Sequence, residues 1–502
     1  MGQPKVVVIG SGMAGLYAGT YLAREGMDVT ILEKEPTPGG LLASFHRRGS
    51  WFDTGLHYLG SLSPGQALWR YFQALDLFPL CQFDAMDDCG FEEYRFPGFT
   101  FDVPQGWAAF VRSLETTFPL EKDAIRTCAK DWQTLAGLFP LYNLQAQLKP
   151  GQEAEILADP LALQSLAGYL QERFRDPRLR AVLSANNPLY GIAPDECPLY
   201  IHALITDSFV SGAWRVHGPS RNLVQALVQR FREAGGTLRV NARVRQLASE
   251  NQRVRAVVLD SGEELAADWV IFTAHPKEML GMVAPHALRP IYQQRVSGLE
   301  ETISVFGLSL TLRGTGVATP RRNYFLHRHW DTSEVYHAFA AHDPYDPDTI
   351  FVSPVETSPG YAKTISIMCP MPFAFWAPWK DTTRGNRPVA YREAKEKIAL
   401  ALIRRLEELW PGVGTQVDFW EGATPLTFRD YTGTWEGSAY GIKKSCGRLR
   451  EATLSTRTRL ENLLLAGQSV VLPGIVGATT SAAAAVGNIV GYEALVKKLA
   501  RL

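Results

Sequence analysis

The chain has few cysteines, no excess charge of either sign and no second glycine-rich nucleotide turn. Its six cysteines, at positions 81, 89, 128, 197, 369 and 446 of 502 residues, form no Cys-x-x-Cys pair. That spacing argues against a structural zinc or iron–sulfur centre, and it suits a reduced, cytoplasmic protein. Fifty-one Lys and Arg balance 51 Asp and Glu, so no net field draws the chain to nucleic acid or anionic lipid. A secretory leader is not expected, because the first apolar stretch is short and runs straight into glycines. Val6 also stands where a myristoylation signal needs Ser or Thr. Leu463 to Gly491 has no charged residue, yet Gly467, Gln468, Pro473, Gly474, Gly477 and Ser481 interrupt it. A strand, a loop and a small-residue helix are expected there instead of a membrane span.

What is present is an apolar core composition, 46% of residues, and a clear opening motif. The length allows about three domains. Lys5 leads into the apolar run Val6 to Gly10, and Gly10-Ser11-Gly12-Met13-Ala14-Gly15 then opens an alanine-rich stretch. This is a strand, a tight turn and a helix in the order a dinucleotide-binding turn requires. Gly10 permits the turn, Gly12 lets backbone amides approach a pyrophosphate, and Gly15 lets helix and strand pack closely. A second strand, Asp28 to Leu32, ends in Glu33, about 20 residues on, where a carboxylate can take the ribose hydroxyls.

Downstream, Pro38-Gly39-Gly40-Leu41-Leu42 leads to Trp51-Phe52-Asp53-Thr54-Gly55-Leu56-His57-Tyr58-Leu59-Gly60. From about 65 to 205 leucines and aromatics recur at three and four spacing, as in Ala67 to Leu75, which predicts an inserted helical layer. Nucleotide-fold grammar returns with a helix near Leu223 to Ala234, a strand at Thr237 to Val240, a hairpin around Asp260-Ser261-Gly262 and a strand over Asp268 to Ala274. Strands and helices alternate from about 290 to 455, and a last strand is expected over Asn462 to Ala466.

With these pieces the chain resembles the FAD-dependent phytoene desaturase, carotenoid isomerase and retinol saturase family, which shares its cofactor architecture with the amine oxidases. The resemblance spans almost the whole length. It is sharp at the glycine turn through Glu33-Lys34, at Phe52 to Gly60, and at Ala466-Gly467-Gln468 through Gly474-Ile475-Val476-Gly477-Ala478, and the middle segment looks most like the retinol saturase branch. It implies an α/β fold: a discontinuous FAD-binding Rossmann-type (glutathione-reductase-like) domain from residues 1–65, 206–288 and 456–502. An α+β substrate domain is inserted as residues 66–205 and 289–455. It further implies that Gly10, Gly12, Met13, Ala14, Gly15, Glu33 and Lys34 hold the ADP half of FAD. Gly40, Leu41 and Leu42 pass the pyrophosphate and ribityl chain, Gly55, Leu56, His57 and Tyr58 run along the isoalloxazine, and Gly467, Gln468, Ile475, Val476, Gly477 and Ala478 cover its other end. The backbone of Val244 meets the adenine. The chain departs from the amine oxidases at Leu41, where Arg is usual, and at Gly218-Pro219-Ser220, which lacks paired glycines.

The activity implied is redox chemistry at a carbon–carbon double bond of an apolar polyene or isoprenoid lipid, as saturation, desaturation or isomerisation. A flavin supplies the hydride chemistry, so few side chains are strictly required. His57 is the leading acid/base or flavin-tuning candidate, against a plain backbone-bonding role, and Tyr58 and Tyr440 follow as candidates against plain packing. Gly314-Thr315-Gly316 lacks the third glycine of a fingerprint, so no built-in NAD(P) domain is expected. NAD(P)H would dock transiently, or electrons would pass to a quinone or oxygen. The uncharged aromatic run Met368 to Trp379 either forms a buried strand and loop, lines an apolar tunnel, or touches a bilayer surface. An amine oxidase is the second enzymatic reading, and a flavin-bearing lipid escort without catalysis is the reading from another class.

Overall fold

Residues 6 to 9 are β-branched without interruption, and such a run is stable where both sheet faces are covered. The computed structural model, which describes residues 2–144, 159–337 and 343–502, places Lys5–Ile9 as the middle strand of a five-stranded parallel sheet. The order is Leu463–Leu465, Trp269–Phe272, Lys5–Ile9, Asp28–Leu32, Thr237–Arg239. Successive side chains point to opposite faces. Val6 and Val8 accordingly pack against the helices Met13–Arg24, Arg221–Glu233 and Gly474–Val490, while Val7 and Ile9 pack against a three-stranded antiparallel sheet. That second layer is formed by Val244–Glu250, Arg253–Leu259 and Glu264–Ala266. The parallel sheet thus draws its strands from three distant stretches of chain.

Gly474–Val490 lies against the first helix through Ala482 to Val486, so its lack of charge reflects burial inside the protein. Among the described residues no helix is long and apolar enough to cross a membrane.

The other large sheet runs Val417–Ala423, Val305–Leu312, Tyr361–Pro370, Thr349–Ser358, Asn323–His327, Glu92–Phe96, Phe99–Val103, with Val317–Ala318 pairing at its side. Its neighbours are antiparallel except Asn323–His327 beside Glu92–Phe96. This corrects the helical reading of residues 66–205. Ala67–Ala74 and Lys122–Gly137 are helices as expected, but Glu92–Phe96 and Phe99–Val103 form a hairpin that joins the mixed sheet. Tyr94, Phe96, Phe99 and Phe101 recur with spacings of two and three around a Pro97-Gly98 turn with Gly98 at φ +69°, and a turn at that point defeats helical spacing. Residues 145–158 of the expected helical layer lie outside the described residues.

The aromatic run after Met368 ends one strand and continues as the short helical turns Phe373–Trp376 and Ala377–Trp379. Trp376 is wholly buried against Phe306 and Tyr391, at ring-centroid distances of 6.2 and 5.3 Å, within the core of the mixed sheet. The run therefore turns its largest rings inward, as the buried-strand reading requires, and leaves Ala374 and Pro378 exposed.

Candidate active site

The first strand enters the turn with Gly10 at φ +100°, a conformation that favours glycine. A Cβ on Gly15 would fall 1.9 Å from the Gly10 carbonyl oxygen, so helix and turn touch backbone to backbone. Gly12 is the opposite case, with no atom within 4 Å of its would-be Cβ. It caps the helix Met13–Arg24 and leaves the helix N-terminus open to a cavity, where free amides and the helix dipole favour an anion.

Glu33 is held rigidly beside this turn. Its Oε2 accepts the Ser11 hydroxyl at 2.5 Å and the Ser11 amide at 3.0 Å, and its Oε1 accepts the Glu35 amide at 2.9 Å. The Ser11 carbonyl accepts the Gly39 amide at 3.1 Å, which lays the second glycine pair over the first. A Cβ on Gly40 would stand 3.3 Å from the Gly12 Cα. The Ala242 amide donates to the Glu33 carbonyl at 2.8 Å and brings Val244 alongside. Lys34 stands here too, its ammonium pushed below its usual range chiefly by burial.

Where paired glycines were absent, Ser220 has a positive task. Its hydroxyl and amide donate to Asp53 at 2.7 and 2.8 Å, and the hydroxyl also reaches the Leu42 carbonyl at 2.9 Å. Ser220 thus pins the segment that leads into Gly55 to Tyr58 against the Gly40 turn. On the far side Gly467 (φ +113°) donates its amide to the Ser481 hydroxyl at 2.7 Å. A Cβ on Gly477 would fall 2.1 Å from the Leu472 carbonyl oxygen, so the helix Gly474–Val490 begins pressed against its own loop.

These elements close around one cavity of about 1120 Å³. Of the residues expected to hold FAD, it is lined by Gly10, Gly12, Met13, Ala14, Glu33, Lys34, Gly40, Leu41, Leu42, Gly55, Leu56, His57, Tyr58, Val244, Gly467, Gln468, Ile475, Val476, Gly477 and Ala478. Gly15 is the exception and lies beneath the lining, as its packing role predicts. Tyr440 also lines the cavity, its phenol pushed up by burial.

The two ends differ in chemistry. Glu33, Lys34, Glu35, Arg243, Glu278 and Arg384 gather at one end, where Arg384 pairs with Glu35 at 3.2 Å. The other end is walled by Leu189, Leu204, Ile205, Phe209, Phe325 and Phe351. His57 sits between them. Burial, and then the nearby Arg215 guanidinium, push its pKa down to about 4, and its Nε2 has no hydrogen-bond partner. His57 is therefore a neutral imidazole at pH 7, a hydrogen-bonding group more than a stored proton. Tyr58 stacks between Phe209 and Phe351, at 4.2 and 6.0 Å.

Sequence reasoning missed several of these groups. Phe351 alternates inward along Thr349–Ser358, and Phe209 lies on the helix Leu199–Val210; neither sits in a motif. Arg215, half-buried, binds Asn323 Oδ1 and the Pro354 carbonyl and so ties the strand Trp214–Val216 to the mixed sheet. His275 caps the helix Pro276–Met282 and pairs with Glu301 at 3.1 Å while also lining the cavity.

A glycine cradle at a helix N-terminus, a carboxylate fixed beside it and an adjoining chamber are the parts of a dinucleotide-cofactor site. Over residues 13–489 the chain matches flavin containing amine oxidoreductase, and it belongs to that family. It is 26% identical to all-trans-retinol 13,14-reductase of Danio rerio, over 95% of this chain and 84% of that protein. It is 25% identical to phytoene desaturase (lycopene-forming) of Pseudescherichia vulneris, over 88% and 89%, and 24% identical to chloroplastic prolycopene isomerase of Daucus carota, over 87% and 71%. The resemblance read from the motifs is borne out. Cyclohexylamine oxidase from Brevibacterium oxydans superposes with a TM-score of 0.59 at 15% identity, covering 97% of this chain and all of that one, and bears out the expected fold class. The cofactor is FAD, and the open face above Gly12, the fixed Glu33 and the orphaned Nε2 of His57 all fit it.

Proposed function

We propose that this protein exchanges hydride between FAD and a carbon–carbon double bond of an apolar polyene or isoprenoid lipid. One observation carries the reading: the chamber beyond His57 is walled by aliphatic and aromatic side chains, while the lining carboxylates Glu33, Glu35, Glu278 and Asp430 gather around Lys34 and Arg384 at the nucleotide end. A lipid chain gains there by leaving water, at roughly 25 cal/mol per Å², whereas an ammonium group would be desolvated without a carboxylate to meet it. The names of the relatives, which act on retinol, phytoene and prolycopene, agree with this choice over an amine substrate.

Bound in the cradle, FAD supplies two-electron hydride chemistry. The chain's own contribution is placement. Gly10, Gly12 and Gly40 give backbone access to the pyrophosphate, Glu33 holds the ribose, and Phe209 and Phe351 set the lipid against the face that His57 and Tyr58 border. With no second nucleotide fold among the described residues, NAD(P)H as donor would dock transiently.

Anaerobic mixing with NADPH or NADH, followed by retinol or a carotene, tests the reading. The oxidised-flavin band is expected to bleach and then return when the polyene is added. If dithionite-reduced protein is reoxidised by no polyene and an amine bleaches the oxidised form, the lipid reading fails. A flavin that responds to no donor indicates an escort protein. Ile205→Asp, which puts a carboxylate on the chamber wall, should keep the flavin band and slow reoxidation by polyene by at least about tenfold.

A further inference from the structure

Glu92 begins the strand Glu92–Phe96, and the strand's alternation separates its two glutamates. Glu93, also buried, lies on the opposite face and pairs with Arg95 at 2.5 Å and Arg322 at 2.9 Å. Glu92 faces inward, is 1% exposed, and has two phenols as its hydrogen-bond partners: Tyr94 donates to Oε2 at 2.6 Å and Tyr58 donates to Oε1. A buried carboxyl with neutral donors, and among the described residues no cation beside it, is held near the balance between its two protonation states. Burial pushes the Glu92 pKa up to about 7, and the two phenols restrain that rise.

Tyr58 connects this group to the cavity. It lines the chamber, and its ring is clamped between Phe209 and Phe351, which line it too. The other polar groups facing Tyr58 are Tyr94, Tyr440 and the Arg215 guanidinium. When Glu92 is ionised it draws the phenol hydrogen toward itself. When Glu92 is protonated its hydroxyl can donate to the phenol oxygen, and the phenol hydrogen is free to turn into the chamber.

We propose that Glu92 and Tyr58 form the proton store of the reaction, with Tyr58 as the group that meets the substrate and Glu92 as the residue that supplies Tyr58. This rests on the reading of the cavity given above. In the reductive direction one alkene carbon would take the hydride that a bound reduced flavin supplies, and its neighbour would take the phenol proton as the π bond breaks and two C–H bonds form. Tyr58 recovers its proton from Glu92, which is left as carboxylate and is reprotonated from water. A bound reduced flavin would supply, with that hydride, both electrons that the lipid gains. The oxidative direction runs the same transfers backward.

Infrared spectroscopy of the flavin-loaded protein from about pH 5.5 to 8.5 tests the store without any lipid. A protonated-carboxyl band is expected to titrate with a midpoint near 7, to be missing in Glu92→Gln, and to move up by about one pH unit in Tyr58→Phe, where a donor to the carboxylate is gone while the ring stack remains. In single turnover of dithionite-reduced protein with retinol, both variants should slow reoxidation by about a hundredfold. The native rate should fall with pH at the infrared midpoint. Absence of a titrating carboxyl band overturns the proposal, as does native rate and pH profile in Glu92→Gln. An intact infrared titration with no polyene reacting overturns the substrate reading and leaves Glu92 supported as a proton store. Should Glu92→Gln fail to fold, the Tyr58→Phe shift decides alone.

Discussion

Gly15→Ala will leave purification with little or none of its flavin. The added Cβ would lie 1.9 Å from the Gly10 carbonyl oxygen, a backbone atom that cannot swing aside as a side chain can. Gly10 is itself fixed, because its amide donates to the Leu32 carbonyl at 2.8 Å and the Thr273 hydroxyl bonds the preceding Ile9 carbonyl at 2.8 Å. Relief must come from tilting the helix or opening the turn, at about 1–3 kcal/mol, and either movement displaces the amides that meet the pyrophosphate. FAD affinity should fall between about tenfold and a hundredfold, with a lower melting temperature even in the apoprotein. Gly12→Ala makes the comparison decisive. Its backbone (φ −69°, ψ −176°) suits alanine and its Cβ meets nothing in the protein, so apoprotein stability should not change. Its methyl still projects where the pyrophosphate must approach, so flavin retention should fall as well. Equilibrium binding of FAD and apoprotein melting curves on both variants settle this. Wild-type affinity in Gly12→Ala would show that the cofactor does not pass over that turn.

The contrast between these glycines was legible before any fold was known, because a strand, a turn and a helix in sequence constrain one another locally. The same holds for Glu33, whose distance from the turn is set by one helix and one strand. Partners set by tertiary topology were not legible. Period-two alternation can mark Glu92–Phe96 as a strand, but nothing in the alternation says that its neighbour is Asn323–His327 or that Tyr58, 34 positions earlier, meets Glu92. Arg215 reaches Pro354 across 139 positions, a pairing that only the order of the mixed sheet creates. His57 could be singled out by its place in a glycine-rich passage. Its neutrality could not, since that depends on burial and on an arginine from another strand.

Acidification from about pH 6.5 to 5 is expected to remove much of the protein's stability. His57 is held at about 4, His202 at about 3 and His327 at about 3, each chiefly by burial. Their contacts suit neutral rings: His202 meets the Tyr190 hydroxyl at 2.9 Å and Trp132 edge-on at 4.6 Å, while His327 stacks on Phe96 at 4.9 Å with its Nε2 unpartnered. Because the folded pKa values lie below the unfolded value, their stabilisation is complete above about 6.5 and is lost as pH falls toward the folded values. Each histidine costs about 1.4 kcal/mol per pH unit in that window, so the three together cost roughly 6 kcal/mol by pH 5, against a typical total of about 5–15 kcal/mol. Glu92 works the other way. Its folded pKa is raised, so its contribution is present below about 4.5, is lost as pH rises through about 7, and offsets roughly 2 kcal/mol of the acid loss over the same window. Glu92→Gln, which cannot ionise, should therefore be more stable than the native protein near pH 7.5 and lose stability more steeply as pH falls to 5. His327→Phe, which keeps the stack on Phe96 and cannot titrate, should flatten the net slope by about a half. Urea midpoints at several pH values between about 7.5 and 5 measure all three proteins. A native midpoint that stays level over that range, or a His327→Phe slope equal to the native one, would mean that these rings are not held neutral in the fold.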